Sequence, residues 1–337
     1  DLVRSRGLGD VYKRQENNIL DVWFESGASH AVLGKRPDLP WPADIYIEGH
    51  DQYRGWFNSS LLVGLGAEKK PPYNTVIIHG FVLDEQGRAM SKSLGNFIEP
   101  EEIINQNGAE ILRLWVAMLD YKEDAPFGRE IMARLVEAYR KIRNTWRFML
   151  GNLYDFSPEG EALSPQELLL FDRWILEKMA AAGKRVLRGY GNYAYHIVFH
   201  SIYNFFTVDL SALYLDVIKD RLYCSPKDSP LRKSAQTALF YILRDSLLLM
   251  APLLPFTVEE AWEKMPSYSS KQESVHLETF PSFDGTWLEP ELLEEWEALM
   301  LVREKVLKKL EEAREEKLIG NSLEAKIMLR LPPQQKS

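Results

Sequence analysis

The sequence predicts two architectures in series, an α/β doubly wound sheet followed by an all-α helical bundle. Residues 18–83 run as short apolar or aromatic stretches broken by turns, in the order strand, turn, helix, strand. From Arg129 to about Met265 nearly every stretch is a long amphipathic helix, and proline-rich breaks separate them at Ser157-Pro158, "SPKDSP" and "APLLPF". At 337 residues the chain is long enough for two or more domains.

Residues 1–15, "DLVRSRGLGDVYKRQ", are basic and without period, and read as an arm or as sequence foreign to the fold. The α/β part spans 16–128. "ILDVWFESG" ends in a Ser-Gly turn signal, and "ADIYIEGHDQ" alternates as a strand, with Ile45 and Ile47 set against Tyr46 and Glu48. "YRGWFNSSLLVGLGA" reads as a helix, and "NTVIIHGFVL" is the continuous β-branched run of a buried parallel strand. "FVLDEQGRAM" reads as a hairpin turned at Glu85–Gly87. "GAEILRLWVAML" spaces Ile111, Leu112, Leu114, Trp115, Met118 and Leu119 as a helix does.

The bundle spans 129–285. Its helices include "EIMARLVEAYRKIRNTWRFMLGNL", "QELLLFDRWILEKMAAAGKRVL" and "HIVFHSIYNFFTVDLSALYLDVIKDRLY". "LFYILRDSLLLMAPLLPF" contains Arg244 and Asp245 and is broken by Pro252 and Pro255, so it reads as a buried bundle helix and not a membrane span. Residues 286–337 form a last helix, with Leu292, Trp296, Leu299, Val306 and Leu310 on one face. "LIGNSLEAKIMLRL" then reads as the opening strand of a further small domain that the end cuts short.

Apolar residues make up 45% and charged residues 27%, an ordinary globular balance that argues against general disorder. One cysteine, Cys224, excludes an internal disulfide and a cysteine-cluster zinc site, and the six histidines form no HExxH. No structural metal is expected, and a reducing cytoplasm is. No signal-peptide pattern opens the chain. The net charge of −8 counts against a surface that coats nucleic acid throughout, but not against a local basic face.

In an open parallel sheet, ligands bind beyond the carboxyl ends of the strands. One such end carries "EGHDQ" and another "HGF". Acidic and amide groups beside a glycine can hold an ammonium group and ribose hydroxyls, and the glycine lets a planar base approach the backbone. Taken alone, each tract also reads as polar turn residues capping a helix, a role for which Asp51 is suited. Trp23 and Trp56 lie near expected strand ends and could wall an apolar side chain, although most of the nine tryptophans must serve packing. "GRAMSKSLGN" is a turn by composition, or a mobile cationic loop that holds a phosphate. "YRKIRNTWRF" interleaves Arg140, Lys141, Arg143 and Arg147 with aromatics, which suits single-stranded RNA, as it also suits a solvated helix face.

In this order, "DVWFESG", "YIEGHDQYRGWFNSSLL", "HGFVLDEQGRAMSKSLGN", "GAEILRLWVAMLDY" and "YRKIRNTWRFMLGNL" resemble an isoleucyl-tRNA synthetase of class I. The resemblance runs from about Asp21 to "EEAREEKLIGNSLEAKIML". "MSKSLGN" marks the wider class, and "EGHDQYRGWF" points to isoleucine.

The resemblance implies the second half of a Rossmann-type catalytic domain followed by an anticodon-binding bundle. It implies activation of isoleucine with ATP and Mg2+, transfer to tRNA(Ile), and a monomer. It places Lys92 on the phosphates as the catalytic cation, within Met90, Ser91, Lys92 and Ser93. Glu48 would hold the adenylate on its amino-acid side. Gly49, Asp51 and Gln52 would line the ribose and adenylate, and His79 and Gly80 the adenosine. Trp23 and Trp56 would enclose the isoleucine side chain, and Arg140, Lys141, Arg143 and Arg147 would face tRNA. Three departures stand out. Ala89 replaces the first lysine of the family's KMSKS signature, no HxGH occurs, and residues 1–15 match nothing in the family. The chain is thus expected to be an internal piece lacking half of the ATP site and the editing domain, and inactive alone. The alternatives are a valyl- or leucyl-specific relative and a non-catalytic RNA-binding or scaffold protein.

Overall fold

The structure, a computed structural model, describes residues 17–284, 287 and 290–329. It divides into two compact units. One runs up to Ile98 and takes in Leu119–Arg129; the other comprises Glu99–Met118 and the chain from Glu130 onward. Residues 1–15, expected to stand apart from the fold, lie outside the described residues.

The first unit opens with α1 (Val22–Gly27), whose cap is the Asp21 carboxylate accepting from Trp23 N–H at 2.8 Å. Strand β1 (Ala43–Gly49) pairs in parallel with β2 (Tyr73–His79), and α2 (Trp56–Glu68) joins them. This is the strand–helix–strand unit the sequence predicts. Small residues let the pieces approach. A side chain on Gly27 would meet the Ser59 backbone at 2.8 Å, and one on Gly64 would meet Pro72 at 2.8 Å. The alternation of β1 is opposite in sense to its apolar pattern. Tyr46 is buried and stacks flat on Trp56, whereas Ile47 is 59% exposed. Helix α2 covers the Tyr46 face, and no described element covers the Ile47 face. For the same reason β2 is only half-buried, not the buried strand its composition suggests.

After Gly80 the chain forms β3 (Val82–Leu83), which pairs in parallel with β4 (Ala125–Pro126). The expected hairpin is reduced to one antiparallel bridge, Leu83 to Ala89, around the turn at Glu85–Gly87. Segment 125–127 takes the other side of β3, where the Ala125 and Phe127 amides donate to Phe81 and Leu83 carbonyls.

The second unit begins with α3 (Pro100–Asn107) and α4 (Ala109–Met118), which the sequence reading leaves in the α/β part. Their packing is with helices. Ile111, Leu114 and Trp115 bury their side chains within the helical unit. Helix α5 (Arg129–Asn152) and α6 (Leu170–Gly191) follow, then α7 (Tyr195–Asn204), which continues as a π-helical stretch over Phe205–Tyr214. Beyond α8 (Lys219–Cys224) lies α9 (Pro230–Met250), buried on nearly every side as its composition predicts, and then α10 (Pro255–Lys264). Residues of α4 tie down the α9–α10 connection. Glu110 accepts from the Phe256 and Thr257 amides and the Thr257 hydroxyl, so an anion caps the start of α10. Arg113 donates to the Pro252 and Leu253 carbonyls.

Helix α11 (Pro290–Glu315) uses its expected face in part. Trp296 lies 5.5 Å from Phe171 and 5.9 Å from Trp174, and Leu310 is buried, but Leu299 is 53% exposed. The strand expected at "LIGNSLEAKIMLRL" does not form among the described residues. Ser322–Glu324 make a tight helical turn instead. Asn321 accepts from the Leu323 amide at 3.1 Å and Glu324 from the Gly320 amide at 2.8 Å, and such local bonds compete with a strand ladder. Among the described residues no helix is long and apolar enough to cross a membrane.

Candidate active site

The register of the two parallel strands sets Gly49 beside His79, so their carboxyl ends coincide. "EGHDQ" and "HG", thirty residues apart in sequence, thereby become one surface. Glu48, Asp51 and His79 are exposed there, while Gly49 and Gly80 are buried. A side chain on Gly49 would meet Asp51 Oδ1 at 2.6 Å and His79 Cε1 at 3.7 Å, so the glycine is what lets these two groups converge. His79 Nδ1–H donates to the Gly80 carbonyl at 2.8 Å, which fixes the ring. The helix after the turn is capped by Gln52, not by Asp51. Gln52 sits four residues before Trp56, and its amide oxygen reaches that residue's N–H at 2.9 Å. Its Nε2 donates to Asp51 at 3.3 Å. Asp51 thus keeps its carboxylate on the surface.

Gly80 has a reason in the fold itself. Its N–H donates to the Tyr121 carbonyl at 2.9 Å, and an added Cβ would lie 2.5 Å from the Glu123 carbonyl carbon and 2.6 Å from Asp124 N. Gly80→Ala is expected to cost roughly 1–3 kcal/mol, because backbone and not a flexible side chain must move. Urea unfolding of the chain measures this; an unchanged midpoint would show that segment 121–124 shifts freely.

Both tryptophans gather at the start of α2. Trp56 stacks on Tyr46 at 4.1 Å with planes 3° apart, and its indole N–H donates to the Ser26 carbonyl at 3.0 Å. Trp23 stands on helix α1, not at a strand end, because Asp21 caps a helix there. It is half-exposed, and its ring edge comes within 2.8 Å of where a Gly55 side chain would begin. The pair therefore brackets Gly55.

"GRAMSKSLGN" is an exposed loop with a built neck. Ser91 caps a single tight turn, Lys92–Leu94, with its hydroxyl accepting from Leu94 N–H at 3.3 Å and standing 3.1 Å from the Ser93 hydroxyl. Met90 is half-buried, Ser93 is exposed, and the exposed Lys92 ammonium lies 5.4 Å from the centre of the Phe97 ring. Arg88, one residue before Ala89, pairs with Asp84 at 2.8 Å while its side chain stays largely exposed. Asp84 and Asn96, which the sequence reading passes over, hold the neck. The available signal was an Asp three residues before a glycine at a turn.

The basic candidates lie in the second unit, on α5, and do not share one face. Arg143 and Arg147 line a cleft of about 370 Å³ with Trp146, Glu260 and Lys264. Arg143 donates to both Glu260 oxygens at 3.1–3.2 Å, and that carboxylate raises the guanidinium's pKa. Lys141 lines a different cleft of about 490 Å³ with Thr207, Ser211 and Lys219. Arg140 is exposed. Among the described residues no group of three or more His, Cys, Asp or Glu is placed to hold a metal.

Comparison with known proteins gives this geometry a family. Residues 5–128 match the model for tRNA synthetases class I (I, L, M and V), and residues 172–329 match that for the anticodon-binding domain of tRNA ligase. The first match reaches back into the basic arm. The isoleucine–tRNA ligase of Carboxydothermus hydrogenoformans is 50% identical over 334 residues, 98% of this chain and 36% of that protein. The chain thus spans about a third of the length of the curated relatives it matches. In fold it is similar to the apo methionyl-tRNA synthetase of Mycobacterium tuberculosis (TM-score 0.62, 16% identity, 85% of this chain and 57% of that one). It is also similar to Agrobacterium radiobacter K84 agnB2 LeuRS, solved with tRNA and LeuAMS (TM-score 0.59, 20% identity, 75% of this chain and 29% of that one). The chain belongs to the class I tRNA synthetases, as a piece that carries part of their catalytic region and an anticodon-binding domain.

Proposed function

We propose that this chain supplies the sheet end, the phosphate loop and the tRNA-facing bundle of a ligase that activates isoleucine with ATP and passes it to tRNA(Ile). The observation that carries this reading is the Gly49–His79 register, which puts Glu48, Asp51 and His79 at one strand end just upstream of the MSKS loop. Activation displaces pyrophosphate from ATP as the isoleucine carboxylate attacks the α-phosphate, and negative charge grows on the phosphates. Positioning and cationic stabilisation dominate such a step. Lys92 supplies the cation, with Met90, Ser91 and Ser93 shaping its turn. Glu48 accepts from the amino-acid ammonium group. Gly49, Asp51 and Gln52 border the ribose, and Asp51 has its carboxylate exposed for that purpose. His79 and Gly80 border the base, and Trp23 and Trp56 the isoleucine side chain. Mg2+ would arrive on the nucleotide's phosphates.

The test is ATP–pyrophosphate exchange by an enzyme of the relatives' full length that carries this chain. Isoleucine is expected to drive exchange best among isoleucine, valine and leucine; a better substrate among the other two sinks the assignment.

For the RNA face, Arg147 and Lys264 border the Trp146 cleft together with Arg143. Arg147→Ala is expected to lower the slope of log affinity for tRNA against log salt by about 0.7–0.9, the signature of one phosphate contact. An unchanged slope in a filter-binding titration removes Arg147 from the interface.

A further inference from the structure

The neck of the MSKS loop is built from two side chains, Asp84, which lies outside the signature quoted above, and Asn96, its last residue, to which the resemblance gives no role. Asp84 is buried, its side chain 8% exposed. Its Oδ1 accepts from the Gln86 and Arg88 amides at 3.0 and 2.8 Å. Its Oδ2 accepts from Arg88 Nε and from Asn96 Nδ2, both at 2.9 Å. Asn96 uses the rest of its amide on the other side of the loop. Its Nδ2 donates to the Ala89 carbonyl at 3.3 Å, and its Oδ1 accepts from the Ser91 amide at 2.9 Å. One carboxylate and one carboxamide, twelve residues apart, thus pin both strands of the neck.

The intervening chain is shaped for this. Gly87 and Gly95 take φ of +74° and +65°, a left-handed conformation that costs other residues energy. A side chain at either would meet nothing within 4 Å, so backbone reversal, not crowding, accounts for both glycines. Arg88 neutralises the clasp from outside. The Asn96 amide, and next the Arg88 backbone N–H, hold the Asp84 carboxyl well below the usual carboxylate range, so the anion the clasp needs is present at neutral pH.

We propose that Asp84 and Asn96 are positioning residues, a clasp that fixes the Ala89–Ser91 strand and so sets where the turn bearing Lys92 stands. This rests on the reading of the loop as the phosphate grip. A turn that served folding alone would need the Asp84 bonds to its own two following amides, but not the Asn96 bridge to Ala89 and Ser91.

Two measurements test it. In hydrogen exchange on the 337-residue chain, Asn96→Ala is expected to speed exchange of the Ser91 amide at least about tenfold without moving the thermal midpoint. The swap D84N/N96D restores a donor–acceptor pair across the neck and should recover part of that protection. Unchanged Ser91 exchange in Asn96→Ala, or no recovery in the swap, overturns the clasp. In an enzyme of the relatives' full length carrying this chain, Asn96→Ala should lower kcat for ATP–pyrophosphate exchange by about 10–100-fold, because a displaced cation stabilises less of the developing charge. The KM for isoleucine should not change. Lys92→Ala is the control. If it abolishes exchange and Asn96→Ala does not alter it, the clasp is overturned and the loop's role stands. If Lys92→Ala leaves exchange intact, the loop reading fails and takes the clasp with it.

Discussion

Lys92→Ala, made in an enzyme of the relatives' full length that carries this chain, is expected to slow isoleucine-dependent ATP–pyrophosphate exchange by about 10²–10³-fold. That is the usual loss when one group aimed at developing charge is removed from a water-poor site, equivalent to about 3–4 kcal/mol of barrier. The loss should be large here because the loop offers few cations. Ala89 stands where the family signature has its first lysine, and Arg88 is committed to Asp84 at 2.8 Å. Stability should be unaffected. Lys92 is exposed, its ring contact with Phe97 is 5.4 Å long, and surface substitutions of this kind stay within about ±0.5 kcal/mol. Exchange kinetics with a parallel melting curve decide the matter. A rate within threefold of the parent would show that the phosphates are held by other groups.

Asp172→Ala is expected to destabilise the helical unit by about 3–5 kcal/mol, the cost of breaking a buried ion pair from one side. Asp172 has no exposed surface. Its carboxylate accepts from the Tyr214 hydroxyl at 2.6 Å, the Ser234 hydroxyl at 2.5 Å and both terminal nitrogens of Arg221 at 2.8–2.9 Å. It also sits in the first turn of α6, where the helix dipole favours an anion. Removing it orphans three donors and leaves the Arg221 guanidinium, 14% exposed, without its counter-charge. The Tyr214 hydroxyl shows how closed the site is, since burial and then the Asp172 charge raise its pKa far above the ordinary phenol value. In denaturant unfolding Asp172→Asn should lose less, because the amide oxygen still accepts, while Asp172→Ala loses the full amount. A loss below about 1 kcal/mol for the alanine variant would mean that water enters and replaces the carboxylate.

Much of the fold is legible along the chain. The change from period-two and β-branched texture to a 3.6-residue period separates sheet from bundle, and prolines mark where the long helices break. Helix α9 is legible as buried despite Arg244 and Asp245, and the structure shows why they are tolerated, since they pair with each other at 2.8 Å. Helix α4 is legible as a helix but not as a member of the bundle. Its apolar stripe says that it packs, and only the surfaces of Glu110 and Arg113 against the α9–α10 connection say on what. The terminal "LIGNSLEAKIMLRL" misleads because Asn and Glu side chains claim the amides a strand would have used.

By itself the sequence determined the family, through short motifs whose order survives without any geometry. It also determined the cation at Lys92 and the residue types at both strand ends. Only the tertiary structure decided that the two ends are one surface, because strand register lives in pairings thirty residues apart. It alone showed that Arg143 and Arg147 line one cleft and Lys141 another, while Arg140 lines neither. It also showed that Arg88 serves Asp84 while Asn96 closes the loop. Those facts depend on which way a side chain points after the backbone has turned, and one-dimensional spacing does not carry that direction across a loop.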